Sequence, residues 1–249
     1  MNSDYILECC VDCVTSARAA QNGGANRLEL CSDLVIGGTT PTTGLLSSIK
    51  ENVTIPVYVL MRPRFGDFLY TEEEFDVICR DLKLLSQAGA DGFVIGCLNP
   101  DGSLCREQME RLMTLCGGKP VTLHRAFDMC SDPYEAYETA GTLGISTILT
   151  SGQRNTCLEG IDLLKRLSSR QGGPRIMAGS GVNAEVITTL LAETSLTAFH
   201  MSGKKVIKSA MIYRNEQVSM GAADLDEYSI WQTDVAEIKK AADLLCRPK

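Results

Sequence analysis

Only two histidines and one tryptophan occur in the chain, and aromatic residues make up 6% of it. No apolar run approaches the roughly 20 residues that a membrane-spanning helix needs. No basic cluster stands out, and the net charge is −7 with a pI near 5.0. Those values argue against a nucleic-acid or anionic-membrane partner. The opening "MNSDYILECC" lacks the charged and then apolar segments of a secretion signal, so a cytoplasmic location is expected. The first expected strand leads into "CCVDCVTSA", without the glycine-rich phosphate turn of an open doubly wound sheet. Ser151 in "LTSGQ" has no G-x-S-x-G context, which excludes a nucleophile-elbow serine.

Cysteine, by contrast, is abundant. There are eleven, an odd number, scattered through apparently regular elements. Reduced thiols are expected, not a disulfide framework. Most, such as Cys79, Cys97 and Cys116, read as small buried hydrophobes. The chain is 44% hydrophobic over 249 residues, enough for one substantial core.

Short β-rich runs alternate with helical ones. Strands are expected at 5–10, 27–31, 56–62, 92–97, 120–124, 146–150, 175–179 and 197–202. Their starts step from 5 to 197 in seven intervals, a mean of about 27, the length of one strand, one helix and two loops. Helix starts are legible at Thr71 with Glu74, a capping box; at Asp132–Pro133; and at Asn183. The expectation is one α/β domain over 1–249, a (β/α)8 TIM barrel. The segment 203–232 is expected to be a long loop, acting as a lid or as the contact of a homodimer or higher homo-oligomer.

Alternate residues of a barrel strand face inward. With Leu7, Leu28 and Leu30 facing the helices, Glu8, Cys10, Arg27, Glu29 and Cys31 face the axis. The same rule turns Arg62, Arg64, His124, His200 and Ser202 inward, all near the C-terminal strand ends where barrel enzymes keep their sites. The repeated Glu-x-Cys of "LECC" and "LELC" is expected to stand at one height on neighbouring strands. Buried ions need partners, so an ion-paired plug joining Glu8 and Glu29 to Arg27 and Arg62 is the structural alternative to a functional site.

Nine motifs carry a resemblance that spans residues 5 to 235. They are "ECCVD", "GANRLELC", "GGTTPT", "RPRFGDFLY", "VTLHRAFD", "LTSGQ", "MAGSGV", "YRNEQVSMG" and "DEYS". Together they resemble the CutC copper-homeostasis family, cytoplasmic TIM-barrel proteins linked by name to copper tolerance. The resemblance implies Cu(I) ligands at Cys10 and Cys31, a match to the preference of Cu(I) for soft thiolates. The nearby Cys10–Cys13 C-x-x-C lacks the second pair of a structural zinc site.

Two other readings stand beside copper. The first is an enzyme acting on a small phosphorylated or carboxylated metabolite. Arg62 and Arg64 would then grip the anion in bidentate fashion, and Glu8, Glu29 or His124 would move a proton. Gly179 and Gly181 after the seventh strand, with Ser202 after the eighth, sit where many barrels bind phosphate. Asp67, Ser151 and His200 complete the expected substrate-binding set. Asp128 is expected to orient His124 or to pair with Arg125. The second reading is a divalent-metal site of Glu8, Glu29, His124 and His200, with the neighbouring arginines competing for the carboxylates.

Overall fold

Eight parallel strands, each followed by helical segments, close into a barrel in the order β1 to β8. The structure is a computed structural model and describes residues 5–220 and 226–246. The strands are β1 Ile6–Val11, β2 Arg27–Leu30, β3 Val57–Leu60, β4 Gly92–Ile95, β5 Val121–Leu123, β6 Thr147–Thr150, β7 Arg175–Ala178 and β8 Ala198–Met201. The TIM-barrel expectation is therefore met, with most strands shorter than the runs read from the sequence. β1 pairs with both β2 and β8, which closes the ring.

The expected caps form. Thr71 accepts from the Glu74 backbone in a full capping box ahead of α3 Glu72–Gln87. Asp132 caps α5 Pro133–Thr142, and Asn183 caps α7 Ala184–Glu193. Outward residues of the strands, including Leu7, Leu28, Leu30, Phe93 and Phe199, are completely buried against the helices. Inside the barrel, Ile6, Leu149, Met177 and Ala198 form a separate apolar group. Ile6 and Ala198 are the first residues of β1 and β8, and the group fills the interior from there up to Met177 and Leu149, the third residues of β7 and β6.

Two features depart from expectation. The parallel register of β1 and β2 aligns Cys10 with Glu29 and Glu8 with Arg27. The two Glu-x-Cys pairs are thus offset by two residues, and do not stand at one height. Segment 203–232 is not simply a loop, because its two ends form an antiparallel ribbon of β9 Lys204–Lys208 and β10 Ser229–Thr233. The ribbon is mostly exposed and rich in lysine, so it gives no buried-strand signal. Cation–π contact helps to hold it, with the Lys204 ammonium 3.4 Å from the Trp231 ring centroid. Its base is tied to the barrel by Thr233 N–H donating to Ser16 Oγ and Asp234 N–H donating to the Gly203 carbonyl. Beyond it, α8 Val235–Leu245 packs on α1 Val14–Gly23. At Gly23 an added Cβ would lie 2.6 Å from Ile238.

Candidate functional site at the mouth of the barrel

The C-terminal end of the barrel holds a cavity of about 400 Å³. Cys10, Glu29 and His200 lie at its base, and Arg62, His124, Arg125 and Leu149 form part of its wall. Ser180–Val182, Ser202, Lys204 and Trp231 contribute from the loops and the ribbon.

A chain of buried charges runs beneath the cavity. Glu8 is fully buried and accepts from Arg27 Nε at 2.5 Å and from His200 Nδ1 at 2.8 Å. Arg27 also stacks over the Tyr58 ring at 4.4 Å. His200 Nε2 then faces Glu29, 3.7 Å from its Oε2. Donor atoms of Cys10, Glu29 and His200 all lie within 4.8 Å of one another.

These contacts separate the two carboxylates. Burial alone would raise the pKa of Glu8, but Arg27 and His200 outweigh it and hold the group at about 2. Glu29 has no such partner. Burial pushes it up to about 7, and the Glu8 charge adds to burial against the pull of His200 and Arg27. Burial would lower His200, yet the Cys10 sulfur, Glu29 and the hydrogen bond to Glu8 raise it well above its ordinary value.

His124 sits in a different environment. It is the last residue before a 3-10 turn, Arg125–Met129, and its Nδ1 accepts from Ala126 N–H at 3.1 Å. Nε2 therefore carries the ring proton, and it has no partner among the described residues. Burial, with the Arg62 charge second, lowers the His124 pKa to about 3, so the imidazole is neutral.

The expected site residues separate into those facing the cavity and those elsewhere. Glu29, Cys10, Arg62, His124, Gly181, His200 and Ser202 line it. Glu8 lies below and positions His200. Cys31 is buried under the loop Leu34–Gly38, among Tyr58, Leu60 and Val94, and stays outside the close Cys10–Glu29–His200 group. Burial, then the Glu29 charge, raises its thiol pKa well above the ordinary value. Gly179 is also set back, packed so tightly that an added Cβ would meet Leu149 at 2.5 Å.

Arg64 and Asp67 are displaced from the expected site. β3 ends at Leu60, so the inward alternation does not persist past Pro63, and Arg64 pairs outside the cavity with Glu74 and Asp67. Nor is Arg62 a free anion fork. Its Nη1 donates to the Ile36 and Gly38 carbonyls and its Nη2 to the Gly66 carbonyl. Ser151 is fully buried behind the wall, where its Oγ accepts from Arg125 Nη2 at 2.9 Å. Asp128 pairs with Arg125 at 2.7 Å and so sets the position of that side chain, one of the two alternatives for it. The proposed four-ligand metal set is not assembled, because His124 stands apart from the Cys10–Glu29–His200 group.

Sequence reasoning missed Arg125, and it marked the turns that carry Ser180 and Lys204 only through Gly179, Gly181 and Ser202. Arg125 follows an inward histidine, so strict alternation turns it outward, but the 3-10 turn brings it to the rim. Lys204 reaches the mouth only through the ribbon. Ser180 carries a signal visible only in the backbone: its φ is +70°, a strained value for a non-glycine residue, and it precedes Gly181 at +77°.

The CutC family model matches residues 5–205. The chain belongs to the CutC family. A human relative, named copper homeostasis protein cutC homolog, is 45% identical over 237 residues, covering 94% of this chain and 87% of that protein. A CutC family protein of Bacteroides fragilis is 43% identical over 245 residues, covering 97% and 96%. A solved structure from Streptococcus agalactiae that bears the CutC name superposes with a TM-score of 0.74 at 29% identity, covering 80% of this chain and 98% of that one. Barrels outside the family share only the fold. One is a structure titled QR15, an aldolase, with a TM-score of 0.57, 13% identity, and coverage of 79% and 89%.

Proposed function

We propose that the protein serves copper homeostasis by holding Cu(I) at the base of the barrel cavity. The observation that carries this reading is the close group of Cys10, His200 and Glu29, whose donor atoms lie within 4.8 Å of one another. The donor set fits the ion. Thiolate and imidazole suit Cu(I), and the carboxylate is the hardest donor of the three. His200 gives Nδ1 to Glu8, which leaves Nε2 for a metal and fixes the ring. Cys10 is the first ligand in this reading. Cys31 supplies the second thiolate once the Leu34–Gly38 loop uncovers it. Binding requires loss of the thiol and imidazolium protons, so affinity rises with pH.

The copper name of the human relative supports the reading. All eleven cysteines are free, which suits the reducing cytoplasm. Self-association follows from the exposed apolar side chains of the 203–232 segment, Met211, Ile212 and Tyr213 among them.

Anaerobic titration of Cu(I) against a chromophoric competitor tests the proposal. Wild type is expected to bind stoichiometrically, Cys10→Ser to lose tight binding, and Cys31→Ser to weaken it. Cys116→Ser, at the far end of α4 Arg106–Cys116, is expected to bind like wild type. Equal affinity in wild type and Cys10→Ser would overturn the site.

A further inference from the structure

Copper at Cys10 leaves most of the cavity unexplained. His124 is part of the cavity wall, and its Nε2–H is buried without a partner among the described residues. A buried donor without an acceptor is destabilising, and a metal at the Cys10–His200 group does not relieve it. The neutral ring is a hydrogen-bond donor, not a cation. Three cations line the cavity. Arg125 is paired with Asp128 and Arg62 is held by backbone carbonyls, while Glu29 is the carboxylate of the lining. Lys204 has no carboxylate partner among the described residues; its ammonium sits over the Trp231 ring. Opposite, Ser180 and Gly181 take left-handed backbone angles one after the other. The N–H groups of Ser180, Gly181 and Val182 find no acceptor among the described residues. These N–H groups belong to a turn that lines the cavity, which leaves them available to an anion there.

We propose that the cavity binds a small organic dianion that carries a carbonyl or enolate oxygen. That oxygen accepts from His124 Nε2–H. A carboxylate or phosphate group lies against Lys204, Arg125 and the Ser180–Val182 N–H groups. The binding site is formed by protein groups alone and requires no metal. A neutral imidazole N–H aimed at an oxygen where negative charge gathers is a pre-set electrophile, so the class of ligand is also a class of substrate: 2-oxo acids and phosphorylated carbonyl compounds.

Calorimetric titration with two probes, 2-phosphoglycolate and oxalate, tests this in buffer containing a Cu(I) chelator. Oxalate mimics the enolate of a 2-oxo acid and 2-phosphoglycolate the enediolate of a phosphorylated carbonyl compound, so only one carries phosphate. Wild type is expected to bind at least one, and which of them binds distinguishes a phosphate seat from a carboxylate seat. His124→Phe keeps a flat ring beside Phe68 and removes the donor. Its affinity is expected to fall about tenfold, the loss of one buried hydrogen bond, with partial recovery in His124→Gln. Lys204→Ala, at the solvent-exposed rim, is expected to weaken binding by a similar factor, and Arg64→Ala to leave it unchanged. In ¹⁵N NMR of wild type, the His124 Nε2–H resonance is expected to shift on probe addition. Failure of both probes to bind at millimolar concentration would overturn the proposal. So would binding indifferent to both His124→Phe and Lys204→Ala. Neither outcome touches the copper reading, which is measured without the probes.

Discussion

His124 and His200 are the only histidines in the chain, and the fold treats them in opposite ways. One is buried against an arginine and kept neutral; the other is buried among a thiol and two carboxylates and favours the proton. Stability must record the difference. The folded pKa of His124 is about 3 against an ordinary value of 6.5, so the unfolded chain binds more protons between those values. The contribution of His124 is fully present above pH 6.5 and is lost as pH falls toward 3. Denaturant unfolding of wild type and His124→Phe is expected to show this directly. The stability of wild type relative to the variant should decline as pH drops below 6.5, at up to about 1.4 kcal/mol per unit. A pH-independent difference would mean that His124 is solvated or already charged in the fold. Glu8 and Glu29 show the same principle in carboxylates. Two residues of one type, on adjoining strands, are driven apart because only one touches a guanidinium.

At the scale of elements, Arg62 acts as a staple. It leaves β3 and ties the Leu34–Gly38 loop to the Arg64–Asp67 turn through three backbone carbonyls. That loop covers Cys31. Arg62→Ala removes charge-assisted hydrogen bonds worth about 1.5–3 kcal/mol each, so the loop should open more often. Alkylation followed by mass spectrometry is expected to show Cys31 reacting about tenfold faster or more, with Cys116 unchanged as the internal reference. Equal rates at Cys31 would remove the staple.

Much at this scale was legible beforehand. The strand runs and the inward faces of Glu8, Cys10, Glu29, His124 and His200 follow from alternation, because each strand writes its own period into its residues. Register does not. It belongs to a pair of strands, and nothing in "LECC" or "LELC" says which residue stands beside which. The offset of the two thiols was hidden for that reason. Arg64 misled because alternation was extended beyond the strand's end. The ribbon escaped because its residues are exposed, and an exposed strand has no buried face to mark it. The empty hydrogen-bond position of His124 was equally out of reach, since it depends on the turn that follows.

For the whole molecule, the segment carried by the ribbon holds the most exposed large apolar side chains among the described residues. Ile212 is fully exposed, and Met211, Tyr213 and Met220 are largely so. Apolar groups exposed in this way suit the contact between copies proposed above. Sedimentation velocity is expected to find wild type heavier than its 27.0 kDa chain mass, and Met211→Asp/Ile212→Asp to sediment as the monomer. A wild type that sediments as a monomer would leave the segment without that role.

The filled barrel interior has a consequence for timing. With Ile6, Met177 and Ala198 packed inside and Arg27 of the buried Glu8–Arg27 pair set on the Met177 sulfur, the cavity is filled from its C-terminal mouth. A cavity filled from one mouth fills and empties in order. In the proposed arrangement, an ion at Cys10 would arrive first and depart last, and an anion seated above it would act as a stopper. Two ligands that never touch would then govern each other's residence through traffic alone.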